Sequence, residues 1–163
     1  MKFLPFENIT YKTTLSVNEV VDKLKGQTEA QRFAMTKRRS NKRFRGIIHS
    51  DSFSIVHNSS LKNSFNPMIE GKIMEGPKGA NVHIKMHLNA LTLVFIAFFA
   101  TIALFVLGIT TYQSIKSQEF DNLLFFPIGL LVALYLITMM GFKLESYSVK
   151  KYLERLLASK MEQ

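Results

Sequence analysis

"LTLVFIAFFATIALFVLGITTY", Leu91–Tyr112, carries no Lys, Arg, His, Asp or Glu along its 22 residues. As a helix rising about 1.5 Å per residue it reaches roughly 33 Å, the depth of bilayer hydrocarbon. A second stretch, "LLFFPIGLLVALYLITMMGF" (Leu123–Phe142), is equally free of charge and is bracketed by Asp121 and Lys143. Its Pro127 falls in the first turns, where a missing backbone donor costs little. A chain of 163 residues has too little other protein to wrap two such helices as core. The expectation is a transmembrane hairpin over 91–142, built from 91–112 and 123–142 and joined by a short loop, 113–122.

Small residues permit close approach of helices in lipid. Ala97, Thr101 and Gly108 on the first helix, and Gly129 and Ala133 on the second, are therefore the expected helix–helix packing positions. Neither helix has an ionisable side chain. Proton relays, voltage sensors and ion-coupled transporters use such groups, so a single hairpin of this kind argues against those functions. A homo-oligomeric pore lined by Thr101, Thr110 and Thr138 stays open.

Orientation follows from charge. The chain has 21 Lys and Arg against 12 Asp and Glu, a formal net charge of +9. Residues 1–90 carry a net +8, the loop 113–122 a net −1, and residues 143–163 a net +2. The positive-inside rule then puts both termini in the cytoplasm and the loop outside, in a bacterial-type inner membrane. The start, "MKFLPFENITYK", has neither the continuous apolar run nor the small-residue cleavage site of a signal peptide.

Outside the hairpin the periodicity changes. "ITYKTTL" (Ile9–Leu15) alternates as a strand. "SVNE" (Ser16–Glu19) is a capping box, and Val17, Val20, Val21 and Leu24 continue it as a short amphipathic helix ending near Gly26. "TEAQ" (Thr28–Gln31) reads as the cap of a second helical piece. "FRGIIHS" and "FSIVHN" form a hairpin about Ser50–Ser52, and "NPMIEGKIME" turns through "GPKG" into "ANVHIKMHL". These segments predict an antiparallel meander with one buried face. After the hairpin, Val149, Tyr152, Leu153, Leu156 and Leu157 make an apolar stripe that needs a partner. The fold class expected is an α+β membrane protein. Residues 1–90 form a small antiparallel sheet with flanking helix, and 143–163 a C-terminal amphipathic helix packing back on it, with the hairpin inserted between them. This order resembles small bacterial membrane proteins, and a sheet gripped by a terminal helix resembles the helix-grip and PH-like plans. The resemblance implies no catalytic residue.

Chemistry-bearing motifs are sparse. Without Cys there is no disulfide, thiolate nucleophile or Cys-ligated metal. No phosphate-binding loop, dinucleotide fingerprint, nucleophile elbow or HExxH occurs, and "GPKG" is a turn. His83 and His87 share a strand face with Lys85 between them, a poor arrangement for a metal. His49 and His57 fall near the ends of adjacent strands, where a meeting across the first hairpin is open, but the ordinary reading is a polar, solvated face. The chain is therefore expected not to be an enzyme and to need no cofactor. The conspicuous feature is "TKRRSNKRFR" (Thr36–Arg45), six of whose ten residues are basic. Lys37, Arg38, Arg39, Lys42, Arg43 and Arg45 are expected to meet anionic inner-leaflet lipid or an acidic partner, since a Lys or Arg near that surface is worth about 1 kcal/mol. Nucleic acid fits less well, because only Phe33 and Phe44 flank the run.

The expected function is a membrane-anchored, non-catalytic binding or accessory module on the cytoplasmic face. Two alternatives stand beside it. One is a membrane-active effector whose hairpin oligomerises and perturbs the bilayer. The other is an immunity-type protein against a membrane-targeted toxin.

Overall fold

A computed structural model describes residues 4–30, 42–58, 65–117, 122–158 and 160–162. The chain is α+β, with one mixed sheet and two long helices that are apolar enough to cross a membrane. In chain order the elements are β1 (Phe6–Thr13), α1 (Val17–Gln27), β2 (Thr28–Ala30), β3 (Phe44–Ile48), β4 (Ser52–His57), β5 (Met68–Gly76), β6 (Gly79–His87), α2 (Ala90–Ser117), α3 (Phe125–Leu156) and β7 (Lys160–Glu162). A 3₁₀ turn, Asn122–Leu124, precedes α3.

The sheet order is β2-β3-β4-β5-β6-β1-β7. The expected meander is β3 to β6, and β1 closes on β6 in antiparallel register, Phe6 opposite His87 and Thr13 opposite Ala80. Two edge strands make the sheet larger and mixed. β7 pairs antiparallel with β1, and β2 pairs parallel with β3, Thr28 opposite Phe44. Among the described residues, "TEAQ" therefore does not cap a helix: α1 passes at Thr28 directly into extended backbone. The β-branched Thr28 suits a strand, and its side chain is buried. At the β5–β6 turn Gly79 adopts φ +141°, and a Cβ there would run into the carbonyl of Thr13.

Alternation sorts the two faces. Ile9, Tyr11, Phe53, Ile55, Ile69, Ile73, Val82, Ile84 and Met86 point to a single core. Phe53 reaches its place because Gly71 opposite has no side chain; a Cβ at Gly71 would collide with the Phe53 ring. Asn81, His83, Lys85 and His87 occupy the other face of β6, as their alternation predicts. α1 covers the core face through Val20, Val21 and Leu24, and its capping box is present, Ser16 Oγ accepting from the Glu19 amide while the Glu19 carboxylate accepts from the Ser16 amide.

α3 does not break at residue 142. The expected C-terminal helix is the second half of one 32-residue helix, roughly 48 Å long at about 1.5 Å per residue. Its Phe142, Ser146, Val149 and Leu153 are buried against the sheet, and Leu157 just beyond its end is buried too. Its first half is exposed with α2: only 6% of the apolar window of α2 and 11% of that of α3 is buried in the chain. These are therefore not core helices of this fold.

α2 and α3 meet along another stripe than the one expected. The buried and half-buried positions of α2 are Thr92, Ile96, Ala100, Ala103, Val106, Leu107, Thr110 and Ser114, and all but Val106 follow one another in steps of four and three residues. On α3 before Gly141 they are Pro127, Leu131, Leu134, Thr138 and Met139, the first four in the same spacing. This is the heptad seam of helices crossing at a shallow angle. Ala97, Thr101 and Ala133 are exposed, and nothing lies within 4 Å of a Cβ built on Gly108 or Gly129. The five positions assigned to packing thus face away from the seam. Within the chain the seam uses Ala103 and two threonines whose hydroxyls donate back to their own helix, Thr110 to Val106 and Leu107, Thr138 to Leu134.

Candidate functional site

The distinctive chemistry lies at the base of the sheet, the end from which α2 and the apolar half of α3 depart. The register defines this end: Phe6, His87, Met68, His57 and Phe44 stand there on β1, β6, β5, β4 and β3. α2 begins three residues after His87.

β1 runs beside the second half of α3 and holds it at three levels. At the base, the Glu7 carboxylate accepts from Lys143 Nζ and Lys150 Nζ, both at 2.7 Å. Further along, the Tyr11 hydroxyl donates to the Lys150 carbonyl at 3.3 Å, and Thr13 Oγ1 donates to the Leu157 carbonyl at 2.6 Å. The contacts follow the same order along both elements, Glu7 with Lys143 and Lys150, Tyr11 with Lys150 and Thr13 with Leu157, so β1 and the second half of α3 run in the same direction.

Glu7 is only 11% exposed. Burial by itself pushes its carboxyl up, but the hydrogen bonds and charges of Lys143 and Lys150 outweigh that and hold it below its ordinary value. Burial, with the nearby charges of Glu154 and Glu7, pushes the Tyr11 phenol up, so it stays a neutral donor. A second tie crosses from β4: His57 Nδ1 lies 3.1 Å from Glu145 Oε2, both largely buried. Another contact is apolar. Phe65 packs onto Gly141 of α3, where a built Cβ would sit 3.0 Å from its Cβ, and with Leu91, Thr92 and Phe95 it lines a groove of about 290 Å³ at the start of α2.

The basic run is divided. Lys37, Arg38 and Arg39 lie outside the described residues. Lys42 Nζ donates to the carbonyls of Lys25 and Thr28, so it satisfies the C-terminus of α1. Arg43 lies over the Tyr152 ring, 4.6 Å from its centroid, and Tyr152 meets Phe44 edge-on. Arg45 is exposed on the outer face, opposite Glu29 in the β2–β3 pairing. Lys42 and Arg43 are thus parts of the fold as well as charges at the base.

The histidines do not gather. His49 sits at the β3–β4 turn, its amide donating to the Ser52 carbonyl, while His57 is at the other end of that hairpin. The two do not meet, because the turn lies at 49–51 and His57 pairs with Phe44 at the far end. His83 Nδ1 is 2.9 Å from Thr10 Oγ1, and His87 Nε2 is 3.5 Å from Glu70 Oε1. Among the described residues, no group of three or more His, Asp or Glu is arranged to hold a metal.

Reading the sequence alone missed the Glu7–Lys143–Lys150 tie. The available signal was spacing: Lys143, Lys150 and Leu157 follow one another at intervals of seven, one helix face. Comparison of the chain with protein-family models, with curated proteins and with solved structures gives no match.

Proposed function

We propose that the chain is a membrane-anchored, non-catalytic binding module whose sheet is held upright on the cytoplasmic face of a bacterial-type inner membrane. The observation that carries this reading is the continuity of α3, whose exposed apolar half runs without a break into a half buried against the sheet. A flexible tether would keep a domain near a membrane in any orientation. A continuous helix, tied by Glu7, Tyr11, Thr13 and His57, fixes height and tilt as well. Such rigidity suits a surface that presents one face to a partner, and the exposed polar face of β6 and β1 is available for that. Both termini are read as cytoplasmic, from the charge asymmetry across the hairpin.

The second reading, an oligomerising membrane-active hairpin, is favoured by one observation. Gly108, Gly129, Ala97, Thr101 and Ala133 point outward, where a second copy could use them. One experiment separates the two. The chain has no Cys, so single cysteines report cleanly. In intact bacterial cells an impermeant maleimide is expected to label Ser117→Cys and spare Ser54→Cys. Membrane potential is expected to stay normal during induced expression. Depolarisation by the intact chain that is abolished by Gly129→Leu with Ala133→Leu, at matched membrane levels, would overturn the binding-module reading in favour of the effector.

A further inference from the structure

We infer that the base of the sheet is itself a lipid-docking face, with Leu4 and Phe6 as apolar anchors seated at the headgroup–acyl boundary; this rests on the membrane reading above.

Leu4 is 52% exposed and Phe6 44%, although both stand at the mouth of a folded domain. Their height is set by pairing. Phe6 lies opposite His87, and α2 opens three residues later with Leu91, 77% exposed. Because β1 and α3 are nearly co-directional, the strand ends face the bilayer that α2 and α3 enter, and Phe6 stands within about two helical turns of the first apolar residues of α2. Leu4, Phe6 and Leu91 thus all expose apolar side chains at this end of the sheet. Large apolar side chains left exposed beside a lipid-facing helix fit the interface better than water.

The charge at this end agrees. Glu7 and Glu145, the carboxylates on the core side of the base, are engaged by Lys143, Lys150 and His57. Lys25, Lys42 and Arg43 are exposed at the same end, since Thr28, which follows α1, pairs with Phe44. Apolar anchors flanked by cations are the composition of a surface that enters an anionic interface. The occupant is accordingly lipid rather than a protein partner or a second copy.

The chain also lacks Trp, so one introduced Trp is a clean depth probe. The purified full chain would be reconstituted in phosphatidylcholine–phosphatidylglycerol vesicles, with and without acyl-brominated lipid. Four variants are compared: Phe6→Trp, Leu4→Trp, Lys12→Trp and Phe98→Trp. Lys12 is on the same strand as Phe6, roughly 20 Å further from the base. Phe98 is an exposed residue of α2. The expected result is about twofold quenching of Phe6→Trp and Leu4→Trp by shallow bromines, with blue-shifted emission, and next to none for Lys12→Trp. Phe98→Trp should be quenched by deep bromines. If Phe98→Trp is quenched while Phe6→Trp and Leu4→Trp match Lys12→Trp, the docking face is refuted and the membrane reading survives. If Phe98→Trp is not quenched, the membrane reading fails and this inference with it. Blue-shifted emission at Phe6→Trp without bromine quenching would mean that protein covers the base, which also refutes the inference.

Discussion

The two halves of α3 share one helix and present different surfaces. The first half exposes Leu130, Val132, Leu136, Ile137 and Met140 around most of its circumference. The second half buries Phe142, Ser146, Val149 and Leu153 on one stripe and turns Tyr147, Lys151 and Arg155 outward. An all-round apolar surface suits lipid, and an amphipathic stripe suits the boundary between a core and water. The difference teaches that the domain boundary falls within a helix. It is marked by Lys143, the first charge after the apolar run, and not by a loop.

That contrast is most exposed to failure at Leu153. Leu153→Ala is expected to cost about 2–5 kcal/mol, because it removes a fully buried side chain under the sheet. Leu136→Ala, on the exposed half, is expected to cost less than about 1 kcal/mol, because its side chain is half exposed and packs against little of the chain. Thermal or denaturant unfolding of the reconstituted protein measures both. Equal losses would erase the distinction between the halves.

Glycines sharpen it further. Gly71→Ala drives a Cβ into the Phe53 ring and is expected to cost roughly 2–4 kcal/mol. Gly141→Ala presses on Phe65 and is expected to cost about 1–2 kcal/mol. Gly129→Ala meets nothing within 4 Å and is expected to be neutral or to stabilise by up to about 1 kcal/mol through helix propensity. Measured by the same unfolding assay, a large loss at Gly129 would return that residue to a packed seam.

The tie between β1 and α3 has its own signature. Glu7→Gln leaves Lys143 and Lys150 without their carboxylate and is expected to cost about 1–3 kcal/mol near neutral pH. Its pH dependence has a fixed sign. The folded carboxyl titrates below its ordinary 4.5, so its contribution is complete above that value. It is lost as pH falls through the folded value. Stability of the parent chain should therefore drop in acid by more than that of Glu7→Gln. Parallel curves would show that the two lysines do not stabilise the carboxylate.

Smallest is the cap. Ser16→Ala removes the acceptor for the Glu19 amide and is expected to cost about 1 kcal/mol. Hydrogen exchange in the first turn of α1 should rise while α3 stays protected. Loss spread evenly over the sheet would mean that α1 and the sheet open as one unit.

Much of this architecture is legible in the residues. The apolar runs 91–112 and 123–142, the capping box at Ser16, the alternation of Val82 to Leu88 and the stripe from Val149 to Leu157 each carry their own periodicity. Three features do not. β2 is three residues long, and its parallel partner β3 begins fourteen residues after β2 ends, so no local pattern announces the pair. The α2–α3 seam depends on which face the crossing selects, and Gly108 and Gly129 satisfy the size rule while pointing away. The ties at the base join Glu7 to Lys143 and Lys150, and His57 to Glu145, partners far apart in sequence that tertiary folding brings together. The basic run was conspicuous as charge. Its use of Lys42 as a helix terminator and of Arg43 as a stacking partner for Tyr152 arises only from tertiary folding.

The most direct test of the central claim is a nitroxide scan of α3 in lipid vesicles, using single cysteines at Leu136, Met140, Leu144, Tyr147, Lys151 and Arg155. Accessibility to oxygen and to a water-soluble nickel chelate is read by power saturation. High oxygen and low nickel accessibility are expected at Leu136 and Met140, and the reverse from Tyr147 onward, with the crossover within one turn of Lys143. Nickel accessibility at Leu136 and Met140 equal to that at Tyr147 would contradict the claim, and would place the whole helix in water or against protein.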